Sequence, residues 1–393
     1  MQLKLLLRLQ LTTHPESLVW RHIMSTEVLR VLTESGVSIW LDDLSRSRLR
    51  TGNLADLVAT KSIRGVTSNP SIFQAAISKG AMDYAADLKD LAKQGLDVDL
   101  VIQRLTTDDV RNACDVLLSV YQATGCLDGR VSIEVDPRLA HETQRTIDQA
   151  SELWTMIDRP NLLIKIPATL AGLEAITETI SNGISVNVTL IFSVDRYGMV
   201  IQAYEDGLRK AAHRGLDLSQ IHSVASFFVS RVDTDVDNRL DALGTEQAAA
   251  LRGKAALANA RMAWELYQER LDRDEWAALL ALGANAQRPL WASTGVKDPT
   301  YDDTRYVIDL SVQGCVNTMP EATLDSVADH GVFRGDTVTG TGAASAQVWQ
   351  SLAELGIDQA AVCEHLEQDG VKKFIDAWED LRATVQTAID QIS

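Results

Sequence analysis

Residues 161–169 read NLLIKIPAT, an apolar run of strand character that carries one lysine, Lys165, and ends at a proline. So apolar a run belongs to a strand buried on both faces, as in parallel sheets. The lysine then has two readings. It lies on an edge strand or snorkels its ammonium out to water. Alternatively it stands at the mouth of a pocket, where desolvation favours a neutral amine able to attack a carbonyl carbon. These residues alone leave both readings open.

Similar runs recur along the chain: VSIWLD from Val37, IRGVT from Ile63, VSIEVD from Val131, ISVNVTL from Ile184, HSVASFFV from His222, PLWAST from Pro289 and GCVNT from Gly314. With LLIKI from Leu162 they make eight, and longer helical patterns separate them. Strands alternating with helices predict βα units and a parallel sheet. Eight of them favour a TIM-type (β/α)8 barrel, whose chemistry sits on its C-terminal rim. The competitor is an open doubly wound sheet, which calls for a glycine-rich phosphate loop after the first strand. LDDLSRSRLRTG, from Leu41, is not such a loop.

A barrel of this kind takes about 250 residues, so a chain of 393 must place the excess elsewhere. Residues 71–130 and 241–288 read as extra helices, the second rich in alanine. The tail after His330 ends in a helical pattern with Phe374, Ile375, Trp378, Leu381, Val385 and Ile389 on one stripe, which reads as core packing. TVTGTGAAS, Thr337–Ser345, contains a lone G-x-G and reads as a loop. There is no internal repeat and no linker demanding a second unit, so residues 24–393 are expected to form a single barrel domain with extra helices. Residues 1–23 carry a short apolar stretch broken by Lys4 and Arg8, with no small-residue cleavage site after it. They read as an upstream extension preceding Met24.

Composition narrows the function. The chain is 46% apolar and 23% charged, which makes it a globular protein with ample core. Its 37 basic and 54 acidic residues give a net charge of −17, which opposes association with nucleic acid and requires a locally basic site for any anionic substrate. No run approaches the length of a membrane span. Cys114, Cys126, Cys315 and Cys363 form no C-x-x-C pair, and the histidines show no ligand spacing, so neither a disulfide framework nor a metal centre is expected. A reducing, cytoplasmic setting fits.

Polar residues embedded in the runs are the remaining signal. Asp42 ends the first, Glu134 lies late in the third, Lys165 late in the fourth, Asn187 and Thr189 late in the fifth, and Ser226 in the sixth. Each alone could cap a helix or satisfy loop backbone. In a barrel all of them project toward one rim, and buried charges of both signs need one another. One amine, two carboxylates and neutral hydrogen-bonding groups suit Schiff-base chemistry on a ketone: a nucleophile, a group that helps expel water, and a base at the breaking carbon–carbon bond. Lys165, Glu134 and Asp42 could fill those roles without a cofactor.

At this point GVTSNPSIF (Gly65–Phe73), VSIEVDPRLA (Val131–Ala140), LLIKIPAT, GISVNVTLIFS (Gly183–Ser193) and SFFVSRVD (Ser226–Asp233) together resemble the transaldolases of the pentose phosphate pathway, in their longer bacterial subgroup. The resemblance implies a circularly permuted (β/α)8 barrel. It also implies a transferase that moves a dihydroxyacetone unit, through a lysine Schiff base, from sedoheptulose 7-phosphate to glyceraldehyde 3-phosphate, giving erythrose 4-phosphate and fructose 6-phosphate. By matching motifs, Lys165 is the Schiff-base lysine and Asp42 the acid/base at the cleaved bond, in preference to Asp43, which lies past the strand end. Glu134 moves protons through a water held with Thr189. Asn69, Asn187 and Ser226 hold the donor's hydroxyls and its dihydroxyacetone part, and Arg231 binds phosphate.

The sequence departs from the family where a second phosphate arginine follows the seventh strand. WASTGVKDP offers Ser293 and Lys297 there instead. The nearest alternative is a fructose 6-phosphate aldolase-like lyase, in which the positions of Glu134 and Phe228 tend to be glutamine and tyrosine. Phe228 is expected to face the pocket. An inactive sugar-phosphate-binding barrel is a further alternative. Sugar phosphates are the expected partners, and the chain is expected to be a monomer or a homodimer.

Overall fold

The computed structural model describes residues 27–391, so the reading of residues 1–23 and of Met24 falls outside the described residues. A helix over 27–34 leads into a closed barrel of eight parallel strands hydrogen-bonded in chain order. These are β1 Ser38–Leu41, β2 Gly65–Val66, β3 Arg130–Glu134, β4 Leu162–Pro167, β5 Val186–Ile191, β6 Ser223–Phe228, β7 Arg288–Ala292 and β8 Val316–Met319. Each falls within or overlaps one run read from the sequence, and every strand residue is buried. The barrel closes where β8 pairs with β1, Ser38 opposite Val316 and Leu41 opposite Met319. Burial on both faces explains why these segments read as continuous apolar runs. At two residues β2 is the shortest. Its pairing nevertheless continues on either side, through Arg64 N–H to the Ile39 carbonyl and Thr67 N–H to the Leu41 carbonyl.

Alternate strand residues face the barrel axis. At the N-terminal end that interior is closed by charge. Ser38 donates to Asp128 and accepts from Arg288, and Arg288 also donates to Asp128 at 2.7 Å. Such a pair is tolerable in a dry interior because each polar group finds a partner. One layer up lies the Trp40 indole, fully buried and paired in register with Gly65. A Cβ on Gly65 would meet that ring at 2.5 Å, so only glycine fits opposite it. Two residues further along each strand come Asp42 and Thr67, at the C-terminal rim.

The excess length forms helices where the sequence places them. Pro70–Lys79, Ala81–Lys93 and Val98–Ala123 occupy the first insertion, and Glu246–Ala249, Ala255–Leu271 and Asp274–Ala281 the second. The tail forms Gly342–Glu354 and a terminal helix of 32 residues, Gln359–Asp390. Thr337–Ser345, read as a loop, is one only as far as Thr341, because Gly342 already begins a helix. In the terminal helix Phe374, Leu381 and Val385 are buried, with Ile375, Trp378 and Ile389 half-buried against the core, as the stripe implied. The helix crosses Pro70–Lys79, Val98–Ala123 and the helix after β6, Ser230–Leu243, and so lies over the rim. No helix among the described residues is long and apolar enough to cross a membrane.

Gly65→Ala tests the packing of the barrel interior. Forcing a methyl group against a buried indole should cost about 1–3 kcal/mol, read as a lower urea midpoint with an unchanged slope.

Candidate active site at the C-terminal rim

Neighbouring strands put Glu134 and Lys165 side by side, since the two residues are paired in the β3–β4 register. Lys165 is only 4% exposed, and its Nζ donates to Glu134 Oε2 and to the Ser68 carbonyl, both at 3.2 Å. The ring of Phe374, from the terminal helix, lies 5.3 Å from the same nitrogen. Burial pushes the Glu134 carboxyl up to about 7, against the opposing pull of Lys165. Glu134 Oε1 and Thr189 Oγ1 are both buried without a hydrogen-bond partner in the protein. Two such groups beside an amine suit a bound water or a reacting hydroxyl.

Asp42 is anchored by hydroxyls from two other strand ends. Thr67 donates to its Oδ1 at 2.6 Å, and Thr318 lies 2.6 Å from Thr67. Burial raises the Asp42 carboxyl above its ordinary value, with Lys165 and the Thr67 hydrogen bond opposing. The adjacent Asp43 is engaged instead by Arg48, at 2.9 Å from Nε. That leaves Asp42 as the carboxylate not committed to an ion pair.

A cavity of about 920 Å³ opens over these groups. Asp42, Asn69, Lys165, Thr189, Ser226, Phe228, Arg231, Ser293 and Lys297 all line it, gathered from segments distant in sequence. Asn69 also caps the helix Pro70–Lys79, accepting from Ile72 N–H at 3.0 Å, a role the sequence reading did not assign to it. Two expected residues lie apart from this cavity. Asn187 is fully buried beneath it, accepting from Ser226 Oγ at 2.7 Å and donating to Ser132 Oγ at 3.0 Å. Glu134 instead borders a neighbouring cavity of about 220 Å³.

The cavity mouth is the basic place that an acidic protein needs for an anion. Arg231, near the start of the helix Ser230–Leu243, has its guanidinium 5.2 Å from the Phe228 ring and an Nη1 without a partner in the protein. Burial pulls that guanidinium below its ordinary value, while Asp369 and Asp42 oppose the shift. Ser293 adopts a left-handed φ of 55° and shares a 3.0 Å hydrogen bond with Ser230, and Lys297 stands exposed at the edge.

Several contributors were not read from the sequence. The Ser68 carbonyl gives no side-chain signal at all. Thr67 and Thr318 are ordinary strand-end threonines. Arg48 and Lys79 reach the wall from the short helix Arg46–Arg50 after β1 and from the helix Pro70–Lys79. Phe374 belongs to a stripe whose spacing is the same whether it packs a core or lines a pocket.

With this geometry in place, comparison with known proteins is informative. The family model described as Transaldolase/Fructose-6-phosphate aldolase matches residues 39–385, from β1 into the terminal helix. A protein of Mycolicibacterium smegmatis named Transaldolase is 59% identical over 362 residues, 92% of this chain and 97% of that protein. Those of the same name from Mycobacterium ulcerans and Mycobacterium leprae (strain TN) are 59% and 57% identical over 366 residues, 93% of this chain and 98% and 97% of theirs. Barrel, buried lysine–glutamate pair and near full-length similarity agree: the chain belongs to the transaldolase/fructose-6-phosphate aldolase family.

Proposed function

We propose that the chain is a transaldolase, transferring a dihydroxyacetone unit from sedoheptulose 7-phosphate to glyceraldehyde 3-phosphate to give erythrose 4-phosphate and fructose 6-phosphate, and the reverse. The observation that carries this reading is Lys165 Nζ, held 3.2 Å from the Glu134 carboxylate at the base of a cavity that Arg231 also lines. Lys165 passes one ammonium proton to Glu134 and attacks the ketone carbon, and a second nitrogen proton moves to the ketone oxygen to give the carbinolamine. Glu134, acting through a water shared with Thr189, protonates the carbinolamine hydroxyl, which leaves as water and gives the imine. Asp42 takes the proton from the hydroxyl on the far carbon of the bond to be broken, the carbon that becomes the aldehyde. The bonding pair then moves onto the imine, leaving an enamine and releasing an aldehyde phosphate. A second aldehyde enters and the steps reverse.

Binding is divided by chemistry. Asn69 and Ser226 take donor hydroxyls, with Asn187 acting beneath them as the group that orients Ser226. Arg231 takes the phosphate with its planar fork, and Ser293 and Lys297 stand in the place of the family's second arginine. The barrel and its helices through the terminal one act as a single catalytic unit. Four free cysteines support a reducing, cytoplasmic setting. A lyase on the same scaffold is disfavoured by Glu134 and by Phe228, whose apolar ring shields the enamine without offering a proton donor. An inactive binding barrel would have no reason to bury Lys165 and Glu134 together, since burying a charge pair is costly.

Lys165→Ala should abolish borohydride trapping of fructose 6-phosphate while the far-ultraviolet spectrum stays unchanged. Attachment mapped by mass spectrometry to Lys61 or Lys297 would refute the assignment.

Expulsion of water needs Glu134 protonated, and its carboxyl titrates at about 7. The rate of imine formation should therefore fall as pH rises through that value. Glu134→Gln should form imine about 100-fold more slowly and lose this pH limb in rapid-quench measurements.

Phe228→Tyr should shift the outcome from transfer toward release. Dihydroxyacetone and sedoheptulose 7-phosphate, followed together from fructose 6-phosphate and erythrose 4-phosphate, give the ratio, and an unchanged ratio would place control of the enamine elsewhere.

A further inference from the structure

The second cavity, about 220 Å³, meets the site at Glu134. Glu134 borders this cavity and not the larger one, whereas Lys165, Thr189 and Asp42 border the larger one and not this one. The glutamate thus stands in the partition, with Asn69 contributing to both walls. Two residues that line the smaller cavity each carry a buried polar atom without a partner in the protein: Glu134, the acceptor Oε1, and Trp378, the donor Nε1. An unpartnered acceptor and an unpartnered donor on one lining are groups that water can satisfy.

The charge of the two walls differs. The larger cavity has Arg48, Lys79, Lys165, Arg231 and Lys297 on its lining against Asp42, Asp43, Asp83 and Glu321, with Arg48 paired to Asp43 and Glu321, so its charge is nearly balanced. The smaller one has no basic residue on its lining, and it has Asp97, Asp99, Asp136 and Glu152 besides Glu134. Arg138 pairs with Asp99 and Asp136 and offsets part of that charge. What remains repels a sugar phosphate and does not hinder a neutral molecule.

The chemistry needs such a separation. Forming the imine expels one water and hydrolysing it consumes one, at times when the mouth is filled by the sugar phosphate. Between those steps the enamine must be kept from solvent. We propose that the smaller cavity is the solvent port of the site: water leaves and enters at Glu134 through it, while the sugar phosphate uses the larger mouth. Trp378 is a positioning residue that orients the water next to Glu134. Gln103, half-buried on the helix Val98–Ala123, lines the passage.

This inference rests on the imine chemistry proposed above, and oxygen exchange tests the two separately. Fructose 6-phosphate is incubated with enzyme in H₂¹⁸O without acceptor, and label entering the ketone oxygen is followed above the uncatalysed background. Each cycle of imine formation and hydrolysis exchanges that oxygen. Gln103→Phe should fill the passage and slow exchange by about fivefold to tenfold, the scale of one lost hydrogen bond. Trp378→Phe, which keeps a ring and removes the N–H, should slow it by about threefold. In both variants, release of glyceraldehyde 3-phosphate per borohydride-trapped imine should match the parent enzyme, because carbon–carbon cleavage needs no water.

Absence of exchange in the parent enzyme would overturn the imine chemistry. Normal exchange in the parent and in both variants would overturn the port. Exchange and cleavage slowed in equal proportion would also overturn it, since a general distortion of the site would do that. Should Gln103→Phe fail to fold, Trp378→Phe decides the question on the same two readouts.

Discussion

An amine and a carboxylate buried 3.2 Å apart, Lys165 and Glu134, set the terms for the rest of the rim. Taking either charge out of water alone is costly, and removing one partner of a buried pair leaves an uncompensated charge worth about 3–5 kcal/mol. The pair survives because the β3–β4 register places the two residues opposite each other and because the Ser68 carbonyl takes another of the ammonium's donors. A shift of one residue in that register would turn one side chain out of the barrel and strand the other. The β3–β4 register therefore fixes whether this buried pair can exist at all.

The same constraint explains how polar residues are layered inside an otherwise apolar barrel. Charges at the N-terminal end, Ser38, Asp128 and Arg288, form a closed set that satisfies itself. The middle layer is neutral, with the Trp40 indole over Gly65 and the Ser132–Asn187–Ser226 chain of hydrogen bonds. At the C-terminal layer Glu134 Oε1 and Thr189 Oγ1 are buried without a protein partner next to the Lys165 amine, whereas the unpartnered Trp40 Nε1 of the middle layer faces no ionisable group of the rim set.

Much of this was legible in the sequence, for a reason specific to parallel barrels. Strands buried on both faces are written as apolar runs, so an ionisable residue within one, such as Glu134 in VSIEVD or Lys165 in LLIKI, stands out against its surroundings. All eight strands were legible on that ground, and so were Asp42, Thr189 and Ser226 at the rim, whereas Asn69, Arg231, Ser293 and Lys297 came from the family resemblance alone. What escaped were contributions without a residue-type signal. Ser68 acts through its backbone, Arg48 sits in a short, charged helix with no distinguishing pattern, and the position of Asn187 one layer below the cavity depends on barrel tilt, which no local pattern encodes. Glu134 facing a separate cavity was likewise invisible, because a partition between two spaces is made by helices far apart in the chain.

The terminal helix shows why the residues after His330 belong to the site and are not a mere appendage. At Leu190, φ is 59°, and the β5–β6 register shifts between Val188 and Ile191. Gly370 packs directly over that irregular point: a Cβ there would lie 3.1 Å from Leu190 Cδ2 and 3.6 Å from Arg231 Nη1. One turn on, Phe374 covers the amine of Lys165, and one turn further Trp378 reaches the small cavity beside Glu134. Positions 370, 374 and 378 recur at the helical interval of four, so one face of one helix meets Arg231 and Lys165 and then lines the small cavity together with Glu134. An open barrel would expose the Lys165 amine to solvent from above. The terminal helix sets an apolar ring 5.3 Å from that nitrogen and an indole on the lining that Glu134 shares, and a single continuous helix holds both points in fixed relation.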